Sequence, residues 1–130
     1  MPKDFVSKLD GGLDAVVEQN GDNFSGGQKQ RLAIARALIK DASIYVFDDS
    51  FSALDFKTDA KLRQALNADE RISRGIVVIV AQRISTVTQA DKIIVLDEGK
   101  VAGMGTHEEL KQTNPVYQEI LHSQLREEEI

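Results

Sequence analysis

Residues 23–38 decide the fold, and they read Asn-Phe-Ser-Gly-Gly-Gln-Lys-Gln-Arg-Leu-Ala-Ile-Ala-Arg-Ala-Leu. Ser25 and Gln28 have the spacing of a capping box, and apolar residues then recur at helical spacing. We therefore predict a helix over residues 26–40. The run Ile-Tyr-Val-Phe-Asp-Asp at positions 44–49 comes next. A short apolar run of this kind is typical of a buried strand in a parallel sheet.

A strand, a helix and a second strand follow one another in the middle of the chain. Residues 42–48 and 75–81 are short apolar runs rich in β-formers, and residues 57–67 between them have helical spacing. This order predicts a βαβ unit with parallel strands. Residues 1–24, by contrast, mix short apolar stretches with Gly and Asn, which predicts a connecting segment.

The remainder of the chain predicts a hairpin and two helices. Residues 92–97 and 100–104 are predicted strands on either side of a Glu-Gly turn, so they should pair with each other. A capping box that starts at Thr106 then predicts a short helix, and Pro115 suits the first turn of a last helix. The charged end of that helix, residues 126–129, is predicted to be solvated.

Composition indicates a globular chain and excludes several classes of protein. The 130 residues are 42% hydrophobic, enough to bury a core. With 21 acidic and 16 basic residues the net charge is −5, so we expect no nucleic-acid partner. The absence of cysteine excludes disulfides and thiolate metal sites. The longest apolar run, residues 76–81, is far shorter than the ~20 residues of a membrane-spanning helix.

Two glycines at the start of the predicted helix mark a candidate anion site. Glycine lets a ligand approach the backbone, and the helix dipole favours a phosphate there. Ser-Gly-Gly alone is more often an ordinary cap and turn. However, residues 23–38 as a whole resemble the signature motif of the ABC ATPases, Leu-Ser-Gly-Gly-Gln followed by Gln-Arg and an Ala-Arg-Ala-Leu helix. Phe24 stands in the Leu position. The resemblance implies that four residues bind ATP: Ser25, Gly26, Gly27 and Gln28.

Asp48 and Asp49 end the first predicted strand, at the edge where open α/β sheets bind ligands. Two acids after a strand are also a common helix cap or solvated turn. Their place after the signature resembles the family's Walker B motif, which implies that Asp48 binds Mg²⁺ and Asp49 occupies the catalytic position. The family's hydrolytic members usually carry Glu there. The shorter side chain draws its carboxylate away from the attacking water, so we expect a slow or inactive site.

Two further positions resemble family motifs. Ser-Ala-Leu-Asp at residues 52–55 resembles the D-loop, which crosses the dimer interface, and implies a nucleotide-binding role for Asp55; by itself it would be a helix-capping turn. Residues 82–86 read Gln-Arg-Ile-Ser-Thr where exporters carry His-Arg-Leu-Ser-Thr, so Gln82 replaces the catalytic switch histidine. Glutamine can hydrogen-bond but cannot relay a proton. Alone it is also an ordinary polar strand end, but with Asp49 it predicts a degenerate catalytic site.

The resemblance also implies a fold. It is an α/β fold, a partial P-loop NTPase (ABC ATPase, RecA-like) core with a mostly parallel sheet that lacks the Walker A strand, because no Gly-x-x-x-x-Gly-Lys-Ser/Thr occurs. Residues 1–130 would be the C-terminal part of an ABC nucleotide-binding domain. They would divide into a connecting segment (1–24), a signature helix (25–40) and a part that runs from Walker B to the C-terminus (42–130).

In the family's sheet the Walker A strand would lie between the strands at 75–81 and 92–97. We therefore expect that these two strands either pair directly or borrow a strand from another copy of the chain. Residues 90–110 resemble exporters almost throughout, so His107 is expected to start a helix and not to bind a metal. His122 is assigned no role.

The resemblance implies the ATP-binding part of an ABC exporter at the cytoplasmic face of the cell membrane. ATP and Mg²⁺ are the implied cofactors. A second ABC ATPase subunit, in a heterodimer, and a transmembrane domain are the implied partners. The parent protein would hydrolyse ATP, whereas this chain alone is expected to be inactive. The alternatives are a non-hydrolytic regulatory or binding module and a soluble ABC ATPase, although the exporter-like stretch 82–110 disfavours the latter.

Overall fold

The computed structural model describes residues 3–128, with side-chain surroundings up to Leu125. Short helices and strands alternate along the chain in the order α1 (Lys3–Val6), two 3₁₀ turns (Gly12–Asp14 and Gln19–Gly21), α2 (Gly26–Ile39), β1 (Ile44–Asp48), α3 (Phe56–Ala68), α4 (Glu70–Ser73), β2 (Ile76–Val80), α5 (Ile84–Val87), β3 (Ile93–Asp97), β4 (Lys100–Gly105), α6 (His107–Thr113) and α7 (Pro115–Glu128). The chain forms two compact units, one that ends at Val80 and one that begins at Ala81.

The predicted elements are confirmed, and the sequence missed only short helices. The capping box at Ser25 starts α2 as expected, and Thr106 caps α6 in the same way. The four-residue helices α1, α4 and α5 were not predicted because they are too short to show a hydrophobic period, and α1 lies in the predicted connecting segment. Helix α4 begins where the Asp69 carboxylate accepts hydrogen bonds from the N–H groups of Arg71 and Ile72. The predicted solvated tail at 126–129 lies outside the side chains that the structure describes.

In the first unit, β1 and β2 pair in parallel, from Ile44 opposite Ile76 to Asp48 opposite Val80. One face of this sheet packs on a core that contains Tyr45, Phe47, Ile34 and Leu66. The other face remains exposed, including Val46, which is 62% exposed. The first unit therefore has a half-covered sheet.

In the second unit, β3 and β4 form the predicted antiparallel hairpin, with an irregularity between Val95 and Leu96. Its core includes Ile93, Val95, Leu110 and Tyr117. Helix α7 packs against β3 and α6. Here too the opposite face carries exposed apolar side chains, namely Ile94, Leu96, Val101 and Met104.

Direct pairing of β2 with β3 was one of two expectations, and it is wrong. Within the described residues the sheets are the pairs β1–β2 and β3–β4. Strand β3 pairs with β4 across the short Glu98-Gly99 turn, whose φ values are 45° and 74°. The parallel part of the fold is consequently a two-stranded sheet. Among residues 3–128, no helix has both the length and the apolar character needed to cross a bilayer.

Candidate functional site

The start of α2 has the geometry of an anion-binding helix end. The N–H of Gln28 donates to Ser25 Oγ at 3.3 Å, and the N–H of Ser25 donates to Gln28 Oε1 at 3.0 Å. The first backbone bond of the helix runs from the N–H of Lys29 to the carbonyl of Ser25. The N–H groups of Gly26 and Gly27 thus lie ahead of that bond, at the positive end of the helix dipole. No acidic residue stands in the first turn of the helix.

Residues ahead of α2 fix the direction in which the helix starts. Phe24 is buried against Phe5 in an edge-to-face contact, with 6.2 Å between ring centroids. The guanidinium of Arg31 lies 4.9 Å from the centroid of the Phe5 ring, and its Nε donates to the carbonyl of Gly27 at 3.4 Å. Asn23 ties the preceding loop together, since its side chain accepts from the N–H of Glu18 and donates to the carbonyl of Val16. The segment before α2 therefore packs around the helix start.

The two acids lie at the carboxyl end of β1, and both are exposed. Asp49 has a φ of 51°, in the left-handed region. Its N–H donates to the carbonyl of Val80 at 3.0 Å, which extends the β1–β2 ladder by one bond. Asp is among the few non-glycine residues enriched in that region, so the backbone here suits Asp well. The conformation turns the chain away from the strand directly after Asp48.

Gln30 connects α2 to the loop after β1 through hydrogen bonds, and the sequence analysis gave it no role. Its Nε2 donates to Ser52 Oγ at 3.1 Å and to the carbonyl of Asp49 at 3.4 Å, and its Oε1 accepts from the N–H of Ala53 at 3.0 Å. The spacing shows that Gln30 shares a helix face with Gly26, four residues earlier, but it does not show which loop that face meets.

Asp55 lies at the N-cap of α3 and both of its carboxylate oxygens bind Thr58. Oδ1 accepts from the Thr58 N–H and Oδ2 from the Thr58 hydroxyl, each at 2.8 Å. The backbone hydrogen bond from Thr58, followed by the one from its hydroxyl, lowers the pKa of Asp55 below its usual 3.8. In this structure the predicted D-loop acid is a helix cap. A nucleotide contact by Asp55 stays a prediction.

This capping geometry predicts a pH dependence at the start of α3. Because the folded-state pKa of Asp55 is lowered, its stabilising contribution is present above pH 3.8 and is lost as the pH falls through the lower folded value. We expect the Thr58 amide resonance to titrate with a midpoint below 3.8. Asp55→Ser should keep a cap and remove the titration. A midpoint at or above 3.8 in the wild-type chain would contradict the assignment.

Gln82 belongs to the second unit, where it lies just before α5 and is exposed. Its carbonyl accepts from Gln124 Nε2 at 2.6 Å, and the Oε1 of the same Gln124 accepts from the N–H of Ile84. Helix α7 thus fixes the backbone around Gln82 and leaves its amide side chain at the surface. The structure brings Ser25, Gly26, Gly27, Gln28, Asp48, Asp49 and Asp55 into the first unit, and it places Gln82 in the second.

The two histidines of the chain lie in the second unit. His107 begins α6, as predicted, and its Nδ1 lies 2.8 Å from the Tyr117 hydroxyl. Burial, followed by the charge of Glu108, raises the pKa of Tyr117, so that hydroxyl stays protonated. His122 is exposed on α7. Among the described residues no group of three or more His, Cys, Asp or Glu side chains could hold a metal ion.

Comparisons with known proteins identify the family. Residues 3–52 match the ABC transporter family. An uncharacterized ABC transporter ATP-binding protein of Mycobacterium bovis is 53% identical over 113 residues, which cover 87% of this chain and 19% of that protein. The chain belongs to the ABC transporter family. Its ATP-binding domain homologues include the ATP-dependent lipid A-core flippase of Vibrio vulnificus, 42% identical over 95% of this chain and 21% of the flippase.

A solved structure gives the same result for the fold of this ABC transporter chain. A bacterial Atm1-family ABC exporter with ATP bound superposes with a TM-score of 0.87 at 38% identity, over 93% of this chain and 21% of that one. The short strands and the small parallel sheet are therefore those of part of an exporter ATP-binding domain. The chain spans about a fifth of the length of the relatives that it matches.

Proposed function

We propose that this chain acts in an ABC exporter by presenting the start of α2 to an ATP molecule that another subunit holds. The observation that carries the proposal is the capped, glycine-containing helix start, in the part of the chain that matches the ABC transporter family. The helix dipole and the N–H groups of Gly26 and Gly27 favour a phosphate at this position. Ser25 and Gln28 would add a hydroxyl and an amide to the same contact.

We propose that the nucleotide half-site to which this chain's own acids belong is catalytically slower than the site that α2 completes. The exposed carboxylate of Asp48 at the end of β1 fits a hydrated Mg²⁺, which prefers oxygen ligands. Bound Mg²⁺ would neutralise charge on the phosphates of ATP. Asp49 presents a shorter carboxylate than Glu would, and Gln82 cannot relay a proton. This combination supports a slow, degenerate site beside a competent signature.

Such an arrangement requires partners. We propose a heterodimer with a second ABC ATPase subunit that carries a Walker A loop, because only that subunit would cradle the ATP phosphates that α2 contacts. We also propose a transmembrane domain as the transporting part and the cytoplasmic face of the cell membrane as the location. ATP and Mg²⁺ would be the cofactors of the assembled protein. The homology to exporter ATP-binding domains supports the transmembrane partner, the location and the cofactors, whereas the proposal of a heterodimer rests on Asp49 and Gln82.

An ATPase assay with the mixed subunits tests the proposal. The partner's ATP-binding domain should hydrolyse ATP faster when this chain is added than when it is alone, because the chain completes a composite site. Gln64→Ala, on the exposed surface of α3, provides a matched control that should stimulate as the wild type does. Equal rates with and without the chain would contradict the proposed function.

A second copy of the chain is our proposed partner when the chain is isolated. Among the described residues β2 pairs only with β1, and its free edge belongs to a strand of five apolar residues. Ile76 is 60% and Val78 42% exposed on the open face. An apolar strand with an unpaired edge is a template for another strand. Strand exchange or edge pairing between two copies would cover it.

Val78→Lys is expected to weaken this self-association on the order of tenfold or more, because a lysine on an edge strand opposes pairing with another strand. Analytical ultracentrifugation over a range of concentrations measures the effect. Gln64→Lys adds the same charge on exposed α3 and should leave the association unchanged. A wild-type chain that stays monomeric at every concentration would contradict the self-association.

A further inference from the structure

We propose that Gln30 is a positioning residue that holds the loop after β1 against the start of α2. We call residues 49–53, which follow β1, the β1 loop. It follows the acid Asp48 and precedes the helix cap Asp55. Gln30 contacts the loop at both ends, through the carbonyl of Asp49 and the N–H of Ala53.

The hydrogen bonds of Gln30 use both ends of its amide. The Nε2 group donates to the Asp49 carbonyl at 3.4 Å and to Ser52 Oγ at 3.1 Å, while Oε1 accepts from the Ala53 N–H at 3.0 Å. Ser52 Oγ also donates to the Asp49 carbonyl at 3.1 Å. A side chain that donates and accepts at once fixes the rotation of the amide as well as its position. Gln30 as a residue is half-buried, although these hydrogen bonds lie at the surface.

Gly26 and Gly27, one turn earlier in α2, also pack closely against the β1 loop. A Cβ atom on Gly27 would lie 3.0 Å from the carbonyl oxygen of Ala53, and one on Gly26 would lie 3.8 Å from the Ala53 Cβ. A side chain at Gly27 would therefore crowd the chain's own β1 loop, which would have to move by a few tenths of an ångström to accept it. Gly27 and Gln30 lie three residues apart on one helix face, so both meet the same loop.

The consequence for function rests on the proposed role of α2. In that role the helix start touches ATP held by the partner, whereas Asp48 and Asp49 belong to the chain's own half-site. Within the first unit, Gln30 links the start of α2 to the backbone of Asp49. The left-handed conformation of Asp49, with a φ of 51°, is held at its N–H by the Val80 carbonyl and at its own carbonyl by Gln30. A displacement of the helix start would thus be passed to the backbone of Asp49.

Amide hydrogen exchange on the ¹⁵N-labelled chain, without nucleotide or partner, tests the inference. Gln30→Leu keeps the volume and removes the hydrogen bonds, so exchange at the Ala53 amide should accelerate by about tenfold or more. Gln30→Glu keeps an oxygen acceptor and should retain the Ala53 protection. It cannot donate to the Asp49 carbonyl, so the Asp49 resonances should shift in both variants. Gln64→Leu, on exposed α3, is the control.

Unchanged Ala53 exchange in Gln30→Leu would overturn the inference, as would equal loss of protection in the Leu and Glu variants. Gln30→Ala gives a second comparison with Gln30→Glu if the Leu variant does not fold. Since no nucleotide is present, these results are independent of whether α2 contacts ATP. Failure of the proposed function would appear in the assays that include the partner and nucleotide, and not in these exchange rates.

Discussion

Gly26→Asp in the assembled exporter is expected to lower ATP hydrolysis by about 100-fold or more, because the added negative charge opposes the electrostatic stabilisation that the helix start gives to the phosphates. The new carboxylate would stand in the first turn of α2, where no acid stands now, and would repel the triphosphate. Steady-state ATPase measurements on the full-length pair check this result. Ser25→Arg should act in the same direction, because it also removes the N-cap oxygen that binds the Gln28 N–H.

Asp49→Ala is the matched comparison for the other half of the chain. The carboxylate of Asp49 is already poorly placed in our account, so its removal should have a mild effect on the same ATPase rate. The side chain is exposed, and the hydrogen bonds of this residue that the structure shows use its backbone, so the change costs about 1–2 kcal/mol for an alanine at φ 51° and the fold should survive. Loss of turnover in Asp49→Ala comparable with that in Gly26→Asp would contradict the degenerate site.

Phe47→Ala is expected to destabilise the first unit by about 3–5 kcal/mol, the usual cost of deleting a buried aromatic side chain. Phe47 is 2% exposed and packs edge-to-face on Phe51, with 5.7 Å between centroids. It belongs to the core cluster of the first unit, which joins β1 to α2, through Ile34, and to α3, through Leu66. Urea unfolding, with amide exchange in β1 as the local readout, measures the change.

Val46→Ala is the matched control on the same strand. Val46 precedes Phe47 but points to the open face of the sheet and is 62% exposed. Its truncation should therefore cost much less than that of Phe47. If the two variants lost the same free energy of unfolding, the open face of the β1–β2 sheet would have to be covered in solution. That outcome would contradict the described sheet and favour an association that buries it.

Elements with a strong local signal were predictable from the sequence. The Ser25–Gln28 capping box predicts helix α2. Short apolar runs with acids or polar residues at their ends predict β1 and β2. The Glu98-Gly99 turn likewise fixes the hairpin, since its residues accept positive φ. In each case a few neighbouring residues carry the information, so no tertiary contact is needed to find the element.

Contacts between distant residues were not predictable in this way. Gln30 meets Ser52 and Ala53, which stand 22 and 23 residues further along the chain, and no spacing rule reveals such a pair. Direct pairing of β2 with β3, one of the two alternatives that we expected, was wrong, because composition alone does not fix which strands become neighbours. The role of Asp55 could not be decided from the sequence either. The same acid suits a helix cap and a nucleotide contact, and the structure shows the cap.

The central claim is that α2 contacts a nucleotide held by another subunit, and nucleotide-dependent association tests it most directly. The measurement is binding of this chain to the partner's ATP-binding domain by analytical ultracentrifugation, with and without Mg-ATP. We predict association only with Mg-ATP for the wild-type chain, for Asp49→Ala and for the surface control Gln64→Ala, and no association for Gly26→Asp. Association that is independent of ATP, or that Gly26→Asp leaves intact, would contradict the account.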